Sequence, residues 1–230
     1  SRLLPNEQIF YLGDTARVPY GNRSDETVKR FGAEDARYLM KKNIKMLIVA
    51  CNTVSSVALE HIRNEINEIP VIGVVLPGAK AAVMRTAERK IGVIGTSATI
   101  RAEAYSRAIH SIDRTLKVYG KACPLFVPLV EEGFVDSEIT RMASQYYLYD
   151  LIDLGIDCLI LGCTHYPLLL EVLQETVGNR VQLVDSALWT AKEAQDILTA
   201  LDSLTENKNN GLEQSIFYVT DFAPHFEKRA

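Results

Sequence analysis

None of the apolar stretches in these 230 residues approaches the roughly 18 that cross a bilayer, and the opening residues do not read as a basic-then-apolar leader. No membrane partner is expected, and the expected address is cytoplasmic. Blocks of positive charge are also missing: 25 Lys and Arg lie scattered among 29 Asp and Glu, for a formal charge of −4, which disfavours nucleic acid or an anionic surface as partner. Cysteine is sparse. Cys51, Cys123, Cys158 and Cys163 lack the paired short spacings of a zinc ribbon or a secreted disulfide framework, so free thiols are expected. The chain carries no Gly-x-Gly-x-x-Gly, no Walker pattern, no metal-ligand cluster and no Schiff-base lysine signature. Chemistry performed by side chains alone, with no cofactor and no metal, is the expectation.

A content of 47% hydrophobic and 23% charged residues is enough for one large core or two smaller ones. Short apolar runs alternate with stretches of helical periodicity. The strand candidates are Gln8 to Leu12, Met46 to Ala50, Val71 to Val75, Ile91 to Gly95, Leu116 to Tyr119, Cys158 to Gly162, Val181 to Val184 and Ser215 to Thr220. Their near-continuous apolar character suits strands covered on both faces, as in parallel sheets built from βαβ units. Between them, Ser24 and Asp136 can cap helices, Pro77 and Pro167 suit first turns, and Gly155 can end the long helix that Asp136 opens. Val54, Val57, Ala58, Ile62, Ile66 and Ile69 recur at helical spacing as one amphipathic stretch. Glu206 to Gly211 reads as a surface loop.

Two segments match: Ile44 to Thr53 and Ile156 to His165 each run from an apolar strand through a cysteine into a helix start. This weak internal repeat implies an α/β fold of two related lobes, each a mostly parallel sheet flanked by helices, with ligands expected beyond the carboxyl ends of the strands. The expected division is residues 1–89 for the first lobe, 90–185 for the second, and 186–230 returning to the first. Both chain ends read as cut, since Ser1 to Asn6 resembles a helix tail and a βα unit is expected before it.

A cysteine at a strand end can receive N–H groups from the helix it opens, which favours its thiolate. Two such thiols facing each other are able to take a proton from one side of a carbon and return one to the other. Asn52, Thr53, Thr164 and His165 can cap the helices or bind a ligand, and His165 can assist Cys163. Cys123 and Cys158 read as small hydrophobes at strand starts, and His61, His110 and His225 as ordinary residues. Gly13 to Gly21 is either a turn or a binding loop. Glu131-Glu132-Gly133 is either a solvated turn or the source of a carboxylate for His165. Gly92 to Thr96 reads as a strand and turn.

Three segments together, Ala50-Cys51-Asn52-Thr53, Gly162-Cys163-Thr164-His165 and Gly13 to Gly21, resemble glutamate racemase, of the cofactor-independent aspartate/glutamate racemase superfamily. Cys123 to Glu131 and Phe217 to Asp221 extend the likeness to nearly the whole chain. The resemblance implies two pseudo-symmetric lobes with the active site between them, and interconversion of L- and D-glutamate for peptidoglycan. It implies that Cys51 and Cys163 exchange the α-proton on opposite faces, with His165 and Glu131 assisting the second thiol. Tyr20, Gly21, Asn52, Thr53, Thr164 and His165 would hold the substrate. A homodimer is expected, and DNA gyrase, a partner of some relatives, finds no support in the residues. The family's Asp-Ser-Gly motif is expected ahead of residue 1. The rival readings are an inactive or dicarboxylate-binding relative, an aspartate racemase-like enzyme, and a thiol oxidoreductase. The last lacks a Cys-x-x-Cys motif.

Overall fold

Continuous apolar runs do become buried parallel strands in the computed structural model, which describes residues 3–206 and 211–221. The centre of the Glu206 to Gly211 loop, and His225, lie outside the described residues. In chain order the elements are β1 (Phe10–Gly13), α1 (Asp25–Met40), β2 (Leu47–Val49), α2 (Asn52–Val57), α3 (Leu59–Glu65), β3 (Val71–Gly73), α4 (Val75–Arg85), β4 (Lys90–Gly95), α5 (Ser97–Arg101) and α6 (Ala104–Ile112). They continue with β5 (Lys117–Ala122), α7 (Phe126–Glu131), α8 (Glu138–Asp153), β6 (Cys158–Gly162), α9 (Leu170–Val177), β7 (Gln182–Val184), α10 (Ala187–Ala200) and β8 (Ile216–Val219). Every strand pair is parallel. The fold is α/β, with parallel sheets flanked by helices in two lobes.

The larger sheet has the order β5-β4-β6-β7. Its two inner strands are the most apolar, and their residues are buried almost throughout, as strands covered on both faces must be. On one face Phe126, Tyr147, Leu148, Leu169 and Leu173 form a core with Ile94 and Leu161. On the other, Ala79, Ala82, Tyr105 and Ile109 pack with Ile91, Val93 and Ile160. The order has a mechanical consequence. The chain leaves β4 toward β5 on one side and returns to β6 on the other, so a crevice opens beyond the carboxyl ends of β4 and β6.

In the other lobe β2 pairs with β3, and β1 pairs with β8, which brings the chain's last described strand back to its first. Val28, Val54, Ala58, Ile62 and Val71 form its core. Helix α4 lies within residues 1–89, yet its apolar side packs on β4 and β6 in the second core.

Local detail departs from the sequence reading in three places. The stretch after Cys51 is two helices, broken at Ala58 (φ −119°), and Ile69 lies beyond both. The Thr53-Val54-Ser55-Ser56-Val57 run is rich in poor helix formers, and the Ser55 hydroxyl is taken by the backbone: it donates to the Val49 carbonyl at 2.7 Å and accepts from the Val74 N–H at 3.3 Å. The cap of α8 is Ser137, which accepts from the Thr140 N–H at 3.3 Å, whereas Asp136 pairs with Arg141. Cys123 follows the carboxyl end of β5 instead of starting a strand, and it is fully buried.

Candidate active site

Cys51 occupies the N-cap position of α2 in extended backbone (φ −72°, ψ 123°), one residue past β2's last neighbour Ala50. Cys163 follows the last residue of β6 directly, ahead of a short 3-10 turn at Tyr166–Leu169 that holds Pro167 in its opening turn. Both thiols therefore stand beyond strand carboxyl ends, one per lobe. They are near enough that the charge of Cys51 acts on Cys163.

The thiols do not favour their thiolates in the unliganded protein. Burial pushes Cys163 up to about 12, against the N–H groups of His165 and Tyr166, and the charge of Cys51 adds to the rise. Burial also raises Cys51, and the N–H groups of Val54 and Thr53 offset only part of it. Taking a sulfur anion out of water outweighs a few fixed dipoles, contrary to the expectation from helix starts alone.

His165 lies between Cys163 and Glu131. Its Nδ1 is 3.8 Å from the Cys163 sulfur, and its Nε2 is 2.5 Å from the Glu131 carboxylate. Glu131 ends α7, at the site instead of a free turn, so an imidazolium formed by accepting the thiol proton has a carboxylate partner. Thr164 is exposed, with its hydroxyl 3.4 Å from His165 Nδ1.

The lobes meet through side chains of α2. The Thr53 hydroxyl lies 3.0 Å from Thr96 and 3.3 Å from Thr99 on the loop and helix after β4. Asn52 Oδ1 accepts from the Tyr105 hydroxyl at 2.6 Å. Gly21 packs so closely on Thr96 that a Cβ there would fall 2.6 Å from the threonine's own. Thr96, Thr99 and Tyr105 carried no signal of their own beyond a Gly-Thr at a strand end. The structure thus brings Asn52, Thr53 and Gly21 against Thr96, Thr99 and Tyr105, and gathers Thr164, His165 and Glu131 at Cys163.

Tyr20 is placed differently from the rest. Its hydroxyl donates to Asp14, with Asp35 3.3 Å away, so the side chain is held by the first lobe and its backbone is what stands alongside Gly21. Arg17 ties the same loop down, through Asp14 at 2.8 Å, Asp35 at 2.6 Å and Glu34 at 2.5 Å. Thr220 just past β8 donates to Asp14 at 2.8 Å, which joins the Gly13 to Gly21 loop to the closing motif. His61 and His110 have dull settings, against Glu65 at 3.0 Å and the Leu116 carbonyl at 3.1 Å.

Burial and the charge of Asp14 push Asp35 up to about 6. From roughly pH 4 to 6 the folded chain keeps a proton that the unfolded chain has released, so this group's stabilising contribution falls as pH rises, by on the order of 2 kcal/mol. Asp35→Asn keeps an acceptor for Arg17 and removes the titration. The urea midpoint at the upper end of that window, relative to the lower end, should then be higher than in the wild type; an unchanged difference would refute the assignment.

Among the described residues no three His, Cys, Asp or Glu converge as metal ligands, and no helix is long and apolar enough to cross a membrane. The family model Asp/Glu/Hydantoin racemase matches residues 1–194. Glutamate racemase of Geobacter metallireducens is 46% identical over 225 residues, covering 98% of this chain and 82% of that protein. The Chlorobaculum tepidum glutamate racemase is 47% identical at the same coverage. Among solved structures, glutamate racemase from Francisella tularensis in complex with D-glutamate superposes with a TM-score of 0.91 at 37% identity, covering 99% of this chain and 83% of that one. Isoform RacE1 from Bacillus anthracis reaches 0.93 at 40% identity, covering 99% and 84%. Similarity on this scale, in sequence and in fold alike, makes this chain a member of the Asp/Glu/hydantoin racemase family.

Proposed function

We propose that this chain is a glutamate racemase that interconverts L- and D-glutamate without a cofactor, with Cys51 and Cys163 as the two proton carriers. The carrying observation is the pair of strand-end thiols, one from each lobe, the second with His165 and Glu131 beside it. The relatives' shared name supports the substrate.

Inversion at a carbon needs a base on one face and an acid on the other. One cysteine is a thiolate and removes the α-proton as the C–H electron pair moves into the carboxylate. The opposite thiol then delivers its proton to the far face and ends as the thiolate, so the pair returns with roles exchanged. A thiol at about 12 is a poor base until something positive arrives. The substrate's ammonium group supplies that charge as it binds, while His165, backed by Glu131, accepts the Cys163 proton. Asn52, Thr53, Thr164 and the Tyr20-Gly21 backbone offer donors for the carboxylates, and exclusion of water strengthens each contact. D-glutamate for peptidoglycan, made in the cytoplasm, is the physiological reading; four free thiols suit that compartment.

In deuterium oxide, L-glutamate should become α-deuterated D-glutamate without added pyridoxal phosphate. Absence of both inversion and exchange would end the proposal. A homodimer belongs to the same reading, because α8 exposes Ile139, Met142, Tyr146 and Tyr149 at three- and four-residue steps. Sedimentation equilibrium should give twice the chain mass, and a single-chain mass at all concentrations would exclude it.

A further inference from the structure

Tyr105 is 2% exposed at the start of α6, and it touches both catalytic loops while belonging to neither. Two residues before it, Glu103 caps α6 in left-handed backbone (φ 50°), a region that non-glycine residues rarely occupy, where the chain turns from α5 into α6. Two glycines make room for the ring. A Cβ on Gly78 of α4 would lie 3.3 Å from its Cε1, and a Cβ on Gly162, immediately before Cys163, would lie 3.3 Å from its Cε2.

The hydroxyl sits in a buried chain of groups. It donates to Asn52 Oδ1 at 2.6 Å, with Ser186, 5% exposed, as a polar neighbour. A phenol has one proton to give, and here it goes to Asn52. With its oxygen so engaged, the Asn52 amide has its NH2 group left to donate. That is the polarity a substrate carboxylate needs, and the amide would be useless to it if flipped.

We propose that Tyr105 is a positioning residue that crosses between the lobes to lock the Asn52 amide in its carboxylate-binding orientation. The inference rests on the glutamate racemase reading for what Asn52 holds. Tyr105→Phe keeps the ring between Gly78 and Gly162 and removes the proton. KM for both enantiomers should rise about tenfold with kcat nearly unchanged, the signature of lost uniform binding. In an Asn52→Ala background the same change should have no further effect on KM. An unchanged KM in Tyr105→Phe, or an equal tenfold effect on top of Asn52→Ala, overturns the proposal.

Two further measurements keep the outcome readable. The Asn52 side-chain amide peaks in a nitrogen–proton NMR spectrum, identified by their loss in Asn52→Ala, should move in Tyr105→Phe with no substrate present; fixed peaks overturn the bridge. Moved peaks in a protein that never exchanges the glutamate α-proton support the bridge and sink the racemase reading instead. If Tyr105→Phe does not fold, Ser186→Ala removes the polar neighbour of the hydroxyl and leaves the ring in place. It should raise KM about threefold, and no rise would count against the proposal.

Discussion

Cys51→Ser and Cys163→Ser should each lower kcat/KM for glutamate racemisation by at least about 10³-fold, because positioned acid–base groups contribute about 10²- to 10⁴-fold and a serine hydroxyl is a far weaker acid than a thiol. The loss must be the same in both directions. L- and D-glutamate have equal free energies, so the two kcat/KM values are tied together whatever a variant does to kcat and KM separately. Deuterium oxide separates the two roles. The surviving cysteine still faces one side of the α-carbon, so each variant should wash deuterium slowly into one enantiomer without inverting it, and the two variants should select opposite enantiomers. If both label the same enantiomer, the two thiols do not face each other across the substrate.

His165→Gln should lower kcat by about 10²-fold while leaving glutamate bound. The reason lies in the local balance at Cys163. Burial holds that thiol at about 12, and the imidazole 3.8 Å away is a side-chain neighbour able to take its proton, with Glu131 at 2.5 Å to stabilise the resulting charge. Without the ring, thiolate forms only by loss to solvent. Below its pKa the thiolate fraction grows tenfold per pH unit, so between about pH 8 and 10 the variant's rate should climb steeply where the wild type is flatter. A variant with wild-type rate and the same pH profile would remove His165 from the reaction. Glu131→Gln should fall between the two, since the ring stays but its partner loses charge.

Much of the scaffold is legible in local sequence because its causes are local. Eight apolar runs became eight strands within a few residues, and β4 and β6 were the most continuous because they are the inner strands, buried on both faces. Ser24 capping α1 and Gly155 following the end of α8 are short-range hydrogen-bond and backbone effects. Errors arose where a distant group changed the local balance. Ser55 bonding to β2 and Val74 accompanies the break at Ala58, and Ser137 outcompetes Asp136 as cap while Arg141 engages the aspartate.

The candidate site divides along the same line. Spacing alone exposes Cys51 and Cys163 as matched strand-end residues, because a strand, a thiol and a helix start are consecutive in the chain. It could not reveal Thr96, Thr99 or Tyr105 as the groups that meet Thr53 and Asn52, since those contacts join residues 43, 46 and 53 positions apart. It also misjudged the thiols' acidity. Helix N–H groups are local and argue for thiolates, whereas desolvation depends on everything packed around the sulfur and prevails in the fold. The residue types and their order settle which atoms are able to carry a proton. Where those atoms stand, and how reluctantly they ionise, follows from the strand order β5-β4-β6-β7, which opens the crevice, and from burial that only the assembled lobes create.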